Sequence, residues 1–149
     1  MLVPYHKKHF GRCVDIFVAA FQAPPLAYDF VNPQNAGRYL RDIVDTPGFW
    51  GFVYVLEGTV AAFCLGAVDD YFHGLQYEVK EFAVAPALHG RKVGSLFLTA
   101  IETELAGRGV ESVHLQTSRA IPAYQFYMRN GFEDVADNVS LTKWLGGEQ

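Results

Sequence analysis

The chain lacks the short motifs that mark several large enzyme classes. Neither GxxxxGK[ST] nor GxGxxG occurs in its 149 residues, which excludes a Walker loop and a dinucleotide-binding fingerprint. No serine lies in a GxSxG context, which argues against an α/β-hydrolase. HExxH and clustered cysteine and histidine residues are also missing, so we predict no metal site.

Cysteine is scarce as well, with Cys13 and Cys64 each set in an apolar run. Isolated cysteines in such runs are usually buried free thiols, and we predict this state rather than a disulfide or a catalytic thiol. Their spacing does not fit a set of metal ligands.

Charge is also limited: 19% of the residues are charged and the net charge is -4. An acidic balance makes nucleic acid an unsuitable general partner, so any basic patch must be local. The apolar runs are too short to cross a bilayer and no signal peptide is visible, so we expect no membrane association and a cytoplasmic location. With 50% hydrophobic residues, the chain is expected to form one globular domain over residues 1–149.

Hydrophobic periodicity outlines an alternation of helices and strands. Helices are predicted near 9–21 and 33–45, and a shorter one within 118–130. Strands are predicted at 50–56, 59–68 and 111–117, with a connecting loop over 69–74 and a final hairpin over 132–145. The chain is organised around a further segment between these elements, residues 76–108.

That central segment reads as a strand, a basic turn and a helix. A β-like run from Tyr77 to Ala85 is stopped by Pro86, because proline cannot donate to a sheet ladder. A turn rich in glycine and basic residues follows, and then an amphipathic helix that ends near Gly107. The first amides of a helix carry partial positive charge, so this arrangement favours binding of a pyrophosphate.

Two stretches of this half of the chain resemble one family. VAPALHGRKVGSLFL resembles motif A of the GNAT superfamily, the acetyl-CoA-dependent N-acetyltransferases. Gly94 matches the second glycine of that motif, whereas His89 replaces the usual Gln or Arg and Lys92 replaces the first glycine. Residues 123–132, AYQFYMRNGF, resemble the family's AxxFYxxxGF. More loosely, the N-terminal half is similar to the aminoglycoside 6'-N-acetyltransferase-like group.

The resemblance implies a fold and an activity. The fold would be a mixed α/β structure with a mostly antiparallel central sheet, splayed at the acetyl-CoA site and flanked by about four helices. The activity would be transfer of an acetyl group from acetyl-CoA to a primary amine by direct attack, with a small amine or amino-sugar as the favoured acceptor. Two alternatives remain open: a non-catalytic acyl-CoA-binding or regulatory module, and an acetyltransferase acting on protein N-termini or lysines. Family members are often dimers, and the apolar C-terminal hairpin allows a homodimer.

The resemblance also implies site residues, which fall into three groups. Cofactor-binding residues would lie at the end of the central strand, in the basic turn and near the last helix: Phe82, Ala83, Val84, His89, Gly90, Arg91, Lys92, Val93, Gly94, Ser95, Ser118, Ala123 and Tyr127. Acceptor-binding residues would come from two aromatic loops: Tyr28, Phe30, Tyr71, Phe72 and His73. The catalytic residues would be Tyr127, Glu81 and Glu78.

Two of these catalytic residues are carboxylates on the central strand. A primary amine is mostly protonated at neutral pH, and a carboxylate can remove its proton. Glu78 and Glu81 would point to opposite faces of a regular strand, and we favour Glu81 because it adjoins the cofactor-pairing segment. Ion pairing with basic neighbours or simple solvation is the alternative for each. His114 and Gln116 on the neighbouring strand, where they alternate with Val113 and Leu115, and His73 in the preceding loop are weaker candidates for the base. Tyr127 would donate a proton to the departing thiolate, with ordinary packing as its alternative.

Overall fold

The computed structural model describes residues 1–72 and 74–146. The chain divides into two compact units, Met1–Gln116 and Thr117–Gln149. The first unit contains the sheet with helices α1 (Phe10–Gln22), α2 (Pro33–Val44) and α3 (Val93–Gly107), and the second contains α4 (Pro122–Arg129). The organisation of residues 1–149 as a single domain stays a prediction.

The first unit is built on a five-stranded sheet. Its strands are β1 (Leu2–Pro4), β2 (Phe49–Leu56), β3 (Thr59–Tyr71), β4 (Gly74–Val84) and β5 (Val110–His114). They lie in the order β1-β2-β3-β4-β5, and every pair is antiparallel except β4 and β5, which are parallel. This open, mostly antiparallel sheet with four helices confirms the predicted fold class.

Apolar side chains cover both faces of the sheet. On one face, α1 and α2 pack through residues such as Ile16 and Leu40 against Phe63 and Leu65 of β3. On the other face, α3 packs through Phe97, Ile101 and Leu105. These side chains form a second cluster with residues of the strands, which include Phe52, Cys64, Tyr77 and Val79. The sheet is therefore the middle layer of three, as helices on both faces require.

The start of α2 is fixed by local signals in the sequence. The Asn32 side chain accepts a hydrogen bond from the Asn35 amide at 2.9 Å, and the Asn35 side chain accepts one from the Asn32 amide at 2.9 Å. Pro33 occupies the first turn, where its missing N–H costs nothing. This reciprocal cap satisfies two amides that lack helical partners, and it sets the position of Tyr39 two turns later.

A bulge interrupts the pairing of β3 with β4. Leu65 pairs with Glu81 and Gly66 pairs with Val79, so Lys80 is an extra residue on β4. Gly66 is needed there, because a Cβ atom would collide with the Glu78 carbonyl and lie 2.8 Å from the Tyr77 ring. The buried Tyr77 hydroxyl cannot move away easily, since it donates a hydrogen bond to the Trp50 carbonyl at 2.7 Å.

The two central strands are longer than the periodicity predicts. The predicted loop over 69–74 is wrong in part, because Asp69, Asp70 and Tyr71 continue β3 and pair with Gln76, Leu75 and Gly74. Backbone pairing holds these residues in the sheet although their side chains are polar or exposed. The final hairpin predicted over 132–145 is wrong, because these residues form no strand in the second unit. A turn remains there, in which the Asn138 amide donates to the Val135 carbonyl.

Both cysteines are buried and free, as predicted. Burial raises the pKa of each thiol to about 12, so neither is a thiolate at neutral pH. Among the described residues, none of the helices has the length and apolar character needed to span a bilayer.

Replacement of Gly66 by alanine tests the bulge. We expect Gly66→Ala to lower the free energy of unfolding by about 2 kcal/mol or more, because the added methyl overpacks a buried backbone contact. Gly37→Ala is the control, since nothing lies within 4 Å of the added atom in α2. Alanine should there raise the free energy of unfolding by about 0.5–1 kcal/mol. Equal effects in chemical denaturation would contradict the close contact at Gly66.

Candidate functional site

The sheet opens where β4 and β5 stop pairing. Their parallel ladder runs from the pair of Leu75 with Val110 to the pair of Glu78 with His114, and β5 ends there. β4 continues to Val84 and keeps β3 as its neighbour on the other edge, with Val84 opposite Ala62. Among the described residues, the second half of β4 therefore has no strand paired along this edge; we call this stretch the opening of the sheet, and the predicted splay lies here.

The bulge places both strand glutamates on the same face of the sheet. Glu81 lies opposite Leu65 and Glu78 lies opposite Ala67, two residues further along β3. Side chains two apart on a strand share a face, so both carboxylates point to the side covered by α1 and α2, about 7 Å apart along the strand. The expectation of opposite faces was therefore wrong, because it assumed a regular strand and Lys80 adds one residue.

Glu81 lies against the packed apolar side of the sheet. Burial raises the pKa of its carboxyl to about 7, although the hydrogen bond from Tyr39 lowers it. The Tyr39 hydroxyl, on α2, donates to Glu81 Oε1 at 2.7 Å. Burial and the adjacent carboxylate raise the pKa of the Tyr39 phenol, so Tyr39 remains a donor. Such a carboxyl exchanges its proton near neutral pH, as a general base must.

Glu78 has a different partner at the last rung of the ladder. Its Oε1 lies 2.7 Å from His114 Nδ1 on β5. The two side chains are 21% and 39% exposed. An imidazole and a carboxylate therefore stand together at the edge of the opening, on the same face as Glu81.

The turn between β4 and α3 is held by hydrogen bonds to the neighbouring strand and within the turn itself. The Ala85 amide donates to the Ala61 carbonyl, and the Leu88 and His89 amides donate to the carbonyls of Ala85 and Pro86. The His89 ring makes a 2.9 Å hydrogen bond from Nε2 to the Val84 carbonyl. His89, which departs from the family motif, thus ties the turn to the end of the strand.

Lys92, the second departure from the motif, has a backbone conformation that favours glycine. Its φ is 63°, in the left-handed region, immediately before the first residue of α3. Lys92 and Arg91 are both exposed beside the N-terminus of α3. Two cations and the positive end of a helix dipole suit a pyrophosphate, so the residues present fit the anionic part of acetyl-CoA.

The predicted cofactor-binding residues of the first unit form one continuous path. Phe82, Ala83 and Val84 are the last residues of β4, and the residues from His89 to Lys92 form the turn. Val93, Gly94 and Ser95 form the first turn of α3. The path leads from the opening of the sheet to the N-terminus of the helix.

Tyr28 and Phe30 belong to a series of aromatic rings that leads to Glu81. The rings of Tyr28 and Phe30 are stacked at 5.3 Å, Phe21 stacks on Tyr28 at 6.0 Å, and Phe17 stacks on Phe21 at 4.4 Å. Phe17 also contacts Tyr39 at 5.8 Å, and Tyr39 bonds to Glu81. Phe30, 67% exposed, ends the series at the surface.

The second predicted aromatic loop lies elsewhere on the sheet. Tyr71 ends β3, six residues and roughly 20 Å along the strand from the partner of Glu81. Tyr71 and Phe72 form an exposed edge-to-face pair at 5.3 Å. The structure does not bring them together with Glu81, and His73 lies outside the described residues.

The remaining predicted residues belong to the second unit. Tyr127 and Ala123 lie on α4, and the Tyr127 ring makes edge contacts with Phe126 at 5.2 Å and Phe132 at 5.3 Å. The Ser118 hydroxyl accepts a hydrogen bond from the Ala120 amide at 3.1 Å, in the manner of a turn.

Asp134, which follows α4, accepts hydrogen bonds from one residue before this helix and from one residue on it. It accepts two hydrogen bonds from the Arg119 guanidinium, at 3.0 and 3.1 Å, and a third from the Tyr124 hydroxyl at 2.9 Å. Arg119 is therefore bound in an ion pair, and the hydroxyl of Tyr124 anchors the short helix to the segment that follows it.

Sequence reasoning missed Tyr39 and ranked His114 low. Tyr39 is 42 residues from Glu81 and His114 is 36 residues from Glu78. No local pattern signals a contact over such a separation. The alternation of Val113 with His114 was the only available signal, and it placed the imidazole on the less apolar face of β5.

Comparison with known proteins agrees with this architecture. Residues 49–134, more than half of the chain, match the model of the acetyltransferase (GNAT) domain. No curated protein matches the sequence. Among solved structures, a probable acetyltransferase is 13% identical with a TM-score of 0.76, and the match covers 99% of each chain.

Two further structures share the fold. An aminoglycoside acetyltransferase from an uncultured soil metagenomic sample, in complex with sisomicin, is 15% identical with a TM-score of 0.73, covering 97% of this chain and 95% of that one. A transcriptional regulator from Bacillus halodurans C-125 is 14% identical with a TM-score of 0.72, covering 96% and 99%. The fold and the motif together define an acyltransferase-type domain, and the chain belongs to the GNAT acetyltransferase family.

The conformation of Lys92 predicts that glycine is better accommodated there than alanine. Lys92→Gly should raise the free energy of unfolding by about 1 kcal/mol, because a side chain in the left-handed region is strained. Lys92→Ala keeps that strain and removes the same charge, so it should change the free energy of unfolding by less than about 0.5 kcal/mol. Chemical denaturation measures both variants, and equal stabilities would contradict the strain.

The raised pKa of Glu81 predicts a pH-dependent stability. The folded state keeps this proton up to about pH 7, whereas a carboxyl with the ordinary pKa of 4.5 has released it. The free energy of unfolding should therefore fall as pH rises from about 4.5 to about 7, by on the order of 2 kcal/mol. Glu81→Gln should abolish this decrease in the free energy of unfolding, because the amide does not titrate.

Denaturation curves at pH 5 and pH 8 measure that difference. The exposed Glu57, changed to Gln, is the matched control and should retain the dependence of the original protein. The same fall in Glu81→Gln as in the original protein would show that Glu81 titrates normally.

Proposed function

We propose that this protein is an N-acetyltransferase that moves an acetyl group from acetyl-CoA to a primary amine by direct attack. The observation that carries the proposal is the Glu81 carboxyl, with a pKa raised to about 7, on β4 where the sheet opens. Membership of the GNAT family supports an acetyltransferase, and the nature of this site supports an amine as the acceptor.

Glu81 is the proposed general base. An alkyl ammonium group has a pKa of about 10.4, so it must lose a proton before its nitrogen can attack. A base is most effective when its pKa lies near the working pH, and burial moves Glu81 toward that value. The hydroxyl of Tyr39 keeps the carboxylate oriented through its 2.7 Å hydrogen bond.

The proposed binding of acetyl-CoA follows the path from β4 to α3. Amides of the first turn of α3, with Arg91 and Lys92, would hold the pyrophosphate. The backbone of Phe82, Ala83 and Val84 would pair with the pantetheine arm as an added strand does, and an N–H of this segment would stabilise the developing oxyanion. When bound, acetyl-CoA supplies the activated acyl group.

Tyr127 is the proposed proton donor to the departing thiolate. A phenol with a pKa of about 10 holds its proton at neutral pH and can donate it. Ser118 and Ala123 would add contacts to the cofactor from the same unit. The match of residues 123–132 to the family motif supports these assignments.

The proposed acceptor is a small amine or an amino-sugar. The stacked rings of Tyr28 and Phe30 give a flat apolar surface in a series that leads to Glu81. Two carboxylates on the same face suit a cationic group. The structural neighbour that binds sisomicin is an aminoglycoside acetyltransferase, which supports this class of acceptor. The second aromatic loop, Tyr71 to His73, is not part of this proposal, because Tyr71 lies roughly 20 Å along β3 from the partner of Glu81.

A non-catalytic acyl-CoA-binding module is the second candidate. The neighbour of the same fold described as a transcriptional regulator favours it. Such a module would bind acetyl-CoA without turning over any amine, and loss of the Glu81 carboxyl would have no effect on its function. An acetyltransferase for protein N-termini or lysines would use the same base and differ only in the acceptor.

Binding and turnover together test the proposal. Acetyl-CoA at a hundredfold excess over its dissociation constant should stabilise the protein by about 2.7 kcal/mol, whereas ATP at the same concentration should not. With the best amine from a screen read by thiol release, Glu81→Gln should lose 10²–10⁴-fold in turnover.

The control is binding of acetyl-CoA by the Glu81→Gln variant, which should be unchanged. No thermal shift with acetyl-CoA would sink the proposal. A shift without turnover of any amine would favour the non-catalytic module.

A further inference from the structure

The pair formed by Glu78 and His114 lies at the edge of the opening and is not used by the mechanism proposed above. The two residues are the final partners of the β4–β5 ladder, and their side chains meet at 2.7 Å between Oε1 and Nδ1. Both are partly exposed, so neither belongs to the apolar core. The ladder register puts this pair about 7 Å along the strand from Glu81, on the same face.

The geometry determines which ring nitrogen can accept a proton. An ionised carboxylate only accepts hydrogen bonds, so Nδ1 of a neutral His114 must carry the hydrogen that points to Glu78. The other nitrogen, Nε2, then presents a lone pair. Among the described residues, no protein group bonds to Nε2. A base whose ring is oriented by a carboxylate is a recurring arrangement at sites of acyl transfer.

We propose that His114, positioned by Glu78, is a second proton acceptor of the reaction, receiving the proton that the amine nitrogen loses after it attacks. This inference rests on the proposed function. An ammonium group must lose two protons to become an amide, and one carboxylate that already holds the first cannot take both.

The proton balance assigns one proton to each acceptor. Glu81 takes the first proton, which frees the lone pair of the amine to form the C–N bond at the thioester carbon. His114 Nε2 takes the second proton from the positively charged nitrogen, and the C–S bond then breaks to expel the thiolate. The thiolate gains one proton to become the thiol, so one proton in total is released to solution.

The tautomer of His114 is the first test, and it needs no substrate. Nitrogen-15 NMR of the ring at a pH where it is neutral should show the hydrogen on Nδ1 in the original protein. Glu78→Gln should leave a mixture of tautomers, because an amide side chain can donate as well as accept. A hydrogen on Nε2 in the original protein would overturn the proposal, since that nitrogen could then accept nothing.

Kinetics give the second test, with the amine that the screen identifies. His114→Asn keeps a donor near the position of Nδ1 and removes Nε2. The variant should therefore fold like the original protein and keep its KM for acetyl-CoA within twofold, while kcat falls 10²–10⁴-fold. His114→Gly should recover at least tenfold in kcat when free imidazole is added, which a merely structural role would not produce.

The outcomes separate the two proposals. A kcat of His114→Asn within threefold of the original enzyme, with normal turnover in the latter, overturns the role of His114 and leaves the proposed function standing. Absence of turnover in the original protein overturns both.

Discussion

β4 has neighbours that run in opposite directions, and this constraint shapes the site. Its antiparallel pairing with β3 continues to Val84, whereas its parallel pairing with β5 ends at Glu78. The bulge at Lys80 lies between these two positions and is possible because Gly66 lets the two backbones approach closely. The opening of the sheet and the orientation of its carboxylates therefore follow from how one strand is held along its two edges.

The carboxylates on the opened face differ in their surroundings. Glu81 is half-buried on the side packed by α1 and α2, where an ionised group is poorly solvated and burial raises the pKa of its carboxyl to about 7. Glu78 is paired with an imidazole at the partly exposed edge. Carboxyl groups with strongly shifted pKa values cluster at functional sites, which supports the role proposed for Glu81.

The departures from the family motif have structural explanations. Lys92 adopts the left-handed conformation that a glycine would take, so the turn keeps its shape although the residue type has changed. His89 places a ring nitrogen on the Val84 carbonyl and braces the junction of strand and turn. Neither replacement disrupts the path from β4 to α3. The motif thus describes a backbone geometry that more than one set of side chains can satisfy.

Patterns between near neighbours in the sequence were enough to predict the local features of this protein. Pro86 marked the end of β4, and apolar periodicity located the four α-helices of the described residues to within a few residues, because these signals act between near neighbours. Tertiary structure decided the rest: the shared face of Glu78 and Glu81, and the contacts of Tyr39 and His114 with them. These depend on strand register and on packing between segments 36 and 42 residues apart, for which periodicity carries no information.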